Sequence, residues 1–129
     1  MINCVFVCEQ NCVYQDIDEY DKKAYHVYYK ENDKIIAYLR VLPQNVRFKE
    51  TSIGRVISTK RREGLGTKIV SEGIRIVANQ CHADSIYLEA QTYARKLYEN
   101  LGFKQCGDEF VEDGIPHTPM RLIINENNY

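Results

Sequence analysis

Residues 61–66 read Arg61-Arg62-Glu63-Gly64-Leu65-Gly66, two adjacent guanidiniums and then two glycines one residue apart, directly ahead of a helical pattern. The first N–H groups of a helix have no partner within it, and the helix dipole puts partial positive charge at the same end. Gly64 and Gly66 let a ligand approach the backbone, Thr67 adds a hydroxyl, and Arg61 and Arg62 add charge, so this turn is expected to hold a phosphate or pyrophosphate. Two other phosphate turns do not fit. A Walker turn needs Lys and then Ser or Thr after its last glycine, whereas Gly66 is followed by Thr67 and Lys68; a dinucleotide fingerprint needs a third glycine where Ile69 stands. A glycine pair ahead of a helix can also serve only to start it, so the motif needs support from the rest of the chain.

Cys4, Cys8 and Cys12 are the other conspicuous group; their spacing of four would stack three thiols on one helical face, and residues 2–10 are expected as the tail of a helix. Thiol sites for zinc or iron–sulfur clusters usually pair their cysteines more closely or add a histidine, so these are read as small packed side chains and no metal is expected. The five cysteines are odd in number and scattered, which argues against a disulfide framework and for a reducing, cytoplasmic setting.

The elements that must position the glycine turn follow from periodicity. Residues 25–30 and 34–42, rich in Tyr, Val and Ile, are expected as a hairpin around Glu31-Asn32-Asp33, after a polar loop over 11–24. Pro43 ends the second strand, and 51–58 resumes as a third. Leu65, Ile69, Val70, Ile74 and Val77 recur at helical spacing through about Gln80, so the glycine turn joins a strand to an amphipathic helix. Residues 85–89 are expected as a strand, 93–101 as a second helix with Ala94, Leu97, Tyr98 and Leu101 on one side, and Gly102 as its stop. Strands over 103–111 and 117–124, around the turn 112–116, close the chain. Helices that alternate with strands only in the second half predict an α/β (α+β) fold, a mixed and mainly antiparallel twisted sheet flanked by helices.

Length and charge bound the function. At 129 residues the chain fits one domain spanning 1–129, and 44% hydrophobic against 27% charged residues is ordinary for a folded protein. Seventeen Lys and Arg against eighteen Asp and Glu leave a net charge of −1, which offers no general field for nucleic acid or an anionic membrane. No apolar run approaches the ~20 residues a membrane helix needs.

Arg61, Gly64 and Gly66, in the order arginine, two residues, glycine, one residue, glycine, resemble the coenzyme A pyrophosphate loop of the GNAT acetyltransferases. Ala94-Arg95-Lys96-Leu97-Tyr98-Glu99-Asn100-Leu101-Gly102-Phe103 is similar to the second signature of that superfamily, a tyrosine-bearing helix ending in Gly-Phe. Val5-Phe6-Val7-Cys8-Glu9-Gln10, Tyr14-Gln15-Asp16-Ile17-Asp18, Glu89-Ala90-Gln91 and Glu112-Asp113-Gly114-Ile115-Pro116-His117 resemble its ElaA-like branch, so the likeness covers nearly the whole chain. Relatives of that kind carry a first strand and most of a helix before the segment matching Val5, so the first strand is expected to be missing or shortened, or supplied by another copy or by an upstream segment.

The resemblance implies a mechanism. Acetyl-coenzyme A would be the co-substrate, its pantetheine arm held by the main chain of Val56 and Ser58 like an added strand, with the N–H of Ile57 or a neighbour facing the thioester oxygen. The loop Arg61, Arg62, Glu63, Gly64, Leu65, Gly66 and Thr67 would take the pyrophosphate, Gln91 cofactor or substrate amides, and Tyr98 the departing thiolate as general acid. An ammonium of pKa ~10.4 must lose a proton before it attacks. Glu89 at a strand end is the chosen base, with Glu9 and His117 as alternatives. Arg55 and His117 are candidate acceptor contacts, Arg55 either orienting an anionic group or pairing with Asp16 and Asp18, and His26 and His82 are assigned no role. No cysteine lies in either signature, so direct transfer to a small-molecule or peptide amine is expected, without metal or acyl-enzyme. The alternatives are a coenzyme A-binding sensor without turnover and an acyl-transferring lactone synthase; an open sheet edge makes a homodimer the expected assembly.

Overall fold

The computed structural model describes residues 4–8, 20, 23–59 and 64–124, with only the backbone at 4–8. The hairpin forms as expected. β2 (Tyr25–Glu31) and β3 (Lys34–Leu42) pair antiparallel, and the two-residue turn Asn32-Asp33 has φ of 51° and 65°, a twist that matches the strands and that Asn and Asp tolerate. Glu31, expected in the turn, is the last strand residue. β3 is buried from Ile36 to Leu42, as a central strand covered on both faces must be.

The expected helix over 2–10 is replaced by a strand. β1 (Cys4–Cys8) pairs antiparallel with β2, Val5 opposite Tyr29 and Val7 opposite Val27, so a short first strand of five residues occupies the edge. Val5, Phe6 and Val7 prefer an extended backbone, and the open edge of β2 offers a ladder that a lone helix tail lacks. Cys12 lies outside the described residues.

β4 (Ser52–Ser58) pairs antiparallel with β3, and α1 (Leu65–Ile76) then carries the chain to β5 (Ser85–Gln91), which runs parallel to β4. Every member of the predicted stripe, Leu65, Ile69, Val70, Ile74 and Val77, is buried against the sheet. A Cβ on Gly73 would stand 3.0 Å from Leu39 and 3.1 Å from Ile53, so the missing side chain is what lets α1 lie this close on β3 and β4. The last turn widens into a π-helix, Val77–Cys81, ended by His82 at φ 51°.

After β5, a 3₁₀ turn at Thr92–Ala94 leads into α2 (Arg95–Asn100), so the predicted second helix starts with a tighter turn. Tyr98 and Phe103 are buried with their rings edge to face at 5.9 Å, and Gly102 at φ 102° ends the helix as expected. The single strand expected over 103–111 is instead two, β6 (Lys104–Gln105) and β7 (Phe110–Glu112), both paired with β8 (Ile115–Ile123). Between them Cys106 N–H still donates to the Pro119 carbonyl at 2.9 Å, but Pro119 has no N–H to return the bond. The closing turn is Asp113-Gly114 (φ 53° and 74°), so Ile115 and Pro116, expected in the turn, belong to β8.

The sheet order is β1-β2-β3-β4-β5-β8-β6, antiparallel except between β4 and β5, with α1 packed over β2, β3 and β4 and α2 against β5. This is the mixed, mainly antiparallel sheet flanked by helices that the sequence predicts. Among the described residues no helix is long and apolar enough to cross a membrane.

Candidate active site

The parallel pair at the centre of the sheet is joined at one end only. Tyr87 N–H donates to the Thr51 carbonyl at 2.9 Å, and Ser52 opposite Tyr87 is the one matched position of β4 and β5. Past it the strands part. β4 carries a bulge where Arg55 and Val56 together face Leu39, with Arg55 at φ 53°, and a bulge bends its strand and adds twist. The resulting cleft, about 280 Å³, is lined on one side by Ile53, Gly54, Arg55 and Val56 and on the other by Leu88, Glu89, Ala90 and Gln91, with Tyr93, Ala94, Tyr98 and His117 beyond.

Alternation decides which backbone groups face this cleft. Thr59 N–H donates to the Ile36 carbonyl at 2.9 Å and Ile57 stands opposite Tyr38, so Thr59 and Ile57 turn their polar groups to β3 and Val56 and Ser58 turn theirs to the cleft. On β5, Tyr87 faces β4, and so therefore do Glu89 and Gln91. Two strand edges with unused donors and acceptors thus face each other across a gap, a geometry an extended amide-bearing ligand completes. The donor nearest the bulge on the cleft side is Val56 N–H, whereas the Ile57 backbone is directed to β3.

The joined end is pinned from outside the strands. Glu50, just before β4, accepts from Arg121 of β8 through Nε at 2.8 Å and an NH2 nitrogen at 2.6 Å, and from Ser85 Oγ at 3.0 Å. These bonds hold the Glu50 carboxyl below the ordinary carboxylate value, the Arg121 hydrogen bond contributing most and burial opposing it. A carboxyl whose folded pKa is depressed stabilises the fold above its unfolded value of about 4.5 and loses that contribution as pH falls through the folded value. Glu50→Gln is expected to lower stability by about 1 kcal/mol near pH 7, with the gap closing as pH falls below the unfolded value of about 4.5. Urea melts of both proteins across this range check it; a gap independent of pH removes the charge from the explanation.

Tyr98, on the buried face of α2, lines the cleft, and no hydrogen bond holds its hydroxyl among the described residues. Burial, with a smaller contribution from Tyr93, pushes the phenol up to about 12. Glu89 accepts from the Tyr87 hydroxyl at 2.9 Å, and burial together with this carboxylate raises the Tyr87 phenol above its ordinary value. Tyr87 was not singled out from the sequence, although its place two residues before Glu89 puts both on one strand face. His117 stacks on Phe110 and its Nδ1 bonds the Ile115 carbonyl at 2.8 Å, anchoring the preceding turn. A carbonyl only accepts, so Nδ1 is the donor of this bond. His26, given no role, is buried against the Tyr38 hydroxyl at 2.6 Å.

The glycine turn meets the same end of the sheet. Gly64 is the N-cap of α1 at φ 65°, a left-handed position with nothing within 4 Å of where a Cβ would stand, and among the described residues no side chain caps the helix. Leu65 is fully buried, which anchors the first turn, and Thr67 is exposed. At Gly66 a Cβ would lie 3.1 Å from Leu97, so this glycine also lets α1 and α2 approach. Arg61, Arg62 and Glu63 lie outside the described residues, as does the alternative base Glu9. Tyr93, 77% exposed at the cleft mouth, carried no signal in the sequence reading.

Residues 4–124 match the family model of the acetyltransferase (GNAT) domain. Protein ElaA of Escherichia coli is 36% identical over 120 residues, spanning 90% of this chain and 78% of ElaA. The crystal structure of E. coli ElaA superimposes with a TM-score of 0.73 at 33% identity, covering 88% of this chain and 79% of that one. An acyl-CoA N-acyltransferase from Pseudomonas aeruginosa gives a TM-score of 0.73 at 29% identity, covering 86% and 77%. A split parallel pair, a bulged strand and a glycine-opened helix, in a chain whose family model runs from strand β1 to the end of β8, make this protein an ElaA-like acyltransferase of the GNAT family.

Proposed function

We propose that the protein transfers an acetyl group from acetyl-coenzyme A to a primary amine by direct attack. The observation that carries this reading is the strand-wide gap between β4 and β5, with backbone polar groups of Val56 and Ser58 on one edge and of Glu89 and Gln91 on the other. The amides of a pantetheine arm suit that gap, and the uncapped first turn of α1 at Gly64, Leu65, Gly66 and Thr67, with Arg61 and Arg62 beside it in sequence, suits the pyrophosphate. Acetyl-coenzyme A supplies an activated thioester carbonyl.

Glu89 takes a proton from the incoming ammonium, the freed lone pair forms the C–N bond as the C–S bond breaks, and the surplus proton on the new amide nitrogen passes to the departing thiolate, giving the free thiol of coenzyme A. Val56 N–H faces the carbonyl oxygen on which charge develops. Tyr98 meets the departing sulfur. With its phenol at about 12 and an ordinary thiol near ~8.5, full proton transfer would be uphill by about 5 kcal/mol. Tyr98 therefore keeps its proton and donates a hydrogen bond to the thiolate as it forms. Arg55 and His117, at the junction of cleft and acceptor side, contact the acceptor.

Free thiol release from acetyl-coenzyme A across a panel of amines, amino acids and peptides, with the acetylated product weighed by mass spectrometry, tests the reading. Amine-dependent thiol release with a 42 Da gain on the acceptor, an acetyl in place of hydrogen as the transfer chemistry requires, is the expected result. Cofactor binding without turnover on any acceptor would replace it with a sensor. In the same assay Glu89→Gln is expected to lower kcat by ~10²-fold; full activity would move the base to Nε2 of His117.

A further inference from the structure

On the face of the sheet turned away from α1, a second hollow of about 170 Å³ adjoins the cleft, and Arg55, Glu89 and His117 line both. Arg40, Arg47 and Arg55 line the hollow together with Glu89 and Glu112. Arg40 and Arg55 engage partners of their own. Arg47 is different: it is exposed and forms no ion pair among the described residues, yet it is oriented. Its guanidinium lies 5.0 Å from the centroid of Phe48 and 5.8 Å from that of Tyr20. Aromatic faces hold a guanidinium without using its N–H donors, which leaves a planar fork of the kind that takes a carboxylate bidentately.

Phe48 in turn meets Tyr87 edge to face at 4.9 Å, and the Tyr87 hydroxyl holds Glu89 at 2.9 Å. A continuous series of contacts therefore ties a cation, Arg47, to an anion, Glu89, across one small hollow. Resting on the acetyl-transfer reading, we propose that the acceptor is a small amino acid-like zwitterion, its amine placed at Glu89 and its carboxylate at Arg47. The volume is below the ~300–1,000 Å³ of pockets for larger ligands, which fits a molecule of that size. A diamine would instead set its second ammonium against Arg47.

The test compares acceptors matched except for the carboxylate: alanine with ethylamine, 4-aminobutyrate with propylamine, and phenylalanine with phenethylamine. In at least one pair the acid is expected to be favoured by about tenfold or more in kcat/KM, the scale of one charge-assisted pair. Arg47→Gln is expected to cut that ratio at least about tenfold, mainly through the acceptor KM, and Arg47→Lys to keep part of it, since it retains charge but not the fork. Equal or better turnover of the plain amine in every pair, or an unchanged ratio in Arg47→Gln, overturns the proposal. Turnover of diamines or peptides alone also overturns it while leaving acetyl transfer standing. Thiol release with no acceptor of any class is the separate failure of the acetyl-transfer reading.

Discussion

Tyr98→Phe is expected to lower kcat by ~10²-fold while leaving the KM for acetyl-coenzyme A within about threefold. The substitution removes one hydroxyl and keeps the ring that meets Phe103 edge to face, so the packing of α2 on β5 survives. In the proposed mechanism what is lost is a hydrogen-bond donor that matters only as charge builds on the sulfur, and an interaction confined to the transition state shows in kcat. Burial disfavours the phenolate, which is why the Tyr98 pKa rises to about 12. The phenol stays protonated at any ordinary assay pH, so no alkaline decline in rate below about pH 11 belongs to Tyr98. Steady-state kinetics of both proteins across pH check this, with thermal melting to confirm the fold. A fall in kcat of less than about tenfold would make Tyr98 a packing residue alone.

Gly64→Val is expected to weaken coenzyme A binding by about 10- to 100-fold, the scale of one or two lost charge-assisted hydrogen bonds. Gly64 sits at φ 65°, where a β-branched side chain is an outlier, and the strain is relieved by moving the turn that presents the first N–H groups of α1. Nothing lies within 4 Å of a Cβ at this position, so the effect is conformational rather than a clash. Gly64→Asn is the informative control, because Asn tolerates the left-handed region and should bind within severalfold of the parent. Calorimetric titration with coenzyme A distinguishes them. If valine and asparagine bind alike, the turn does not set the phosphate site.

The parts of the site that depend on local periodicity were legible. The stripe from Leu65 to Val77 and the glycine at its head follow from helical spacing and from where a helix leaves N–H groups unpaired. Val56 and Ser58 were named through the family resemblance, and strand alternation is consistent with the two facing one way. The N-terminal segment misled for the same reason. Three cysteines at spacing four look helical, but the pattern is too short to outweigh the β preference of Val5, Phe6 and Val7 and the pull of an open strand edge.

By itself the sequence determined the order of elements from β2 to α2, the glycine turn ahead of α1, the tyrosine helix ending at Gly102-Phe103 and the family to which they belong. Those are properties of neighbours in the chain, set by backbone propensity and side-chain period. Only the tertiary structure decided that β4 and β5 part after one matched position, because that depends on a bulge at Arg55 and on a Glu50–Arg121 bond spanning 71 residues. It also decided that Val56 rather than Ile57 turns its N–H to the cleft, since a bulge shifts the alternation by one residue. Arg47, Phe48, Tyr87 and Glu89 come from separate parts of the chain and form one charged, ring-lined hollow only when β5 is laid beside the loop before β4. No local pattern encodes that meeting, because the energy that fixes it lies in contacts between residues far apart in sequence.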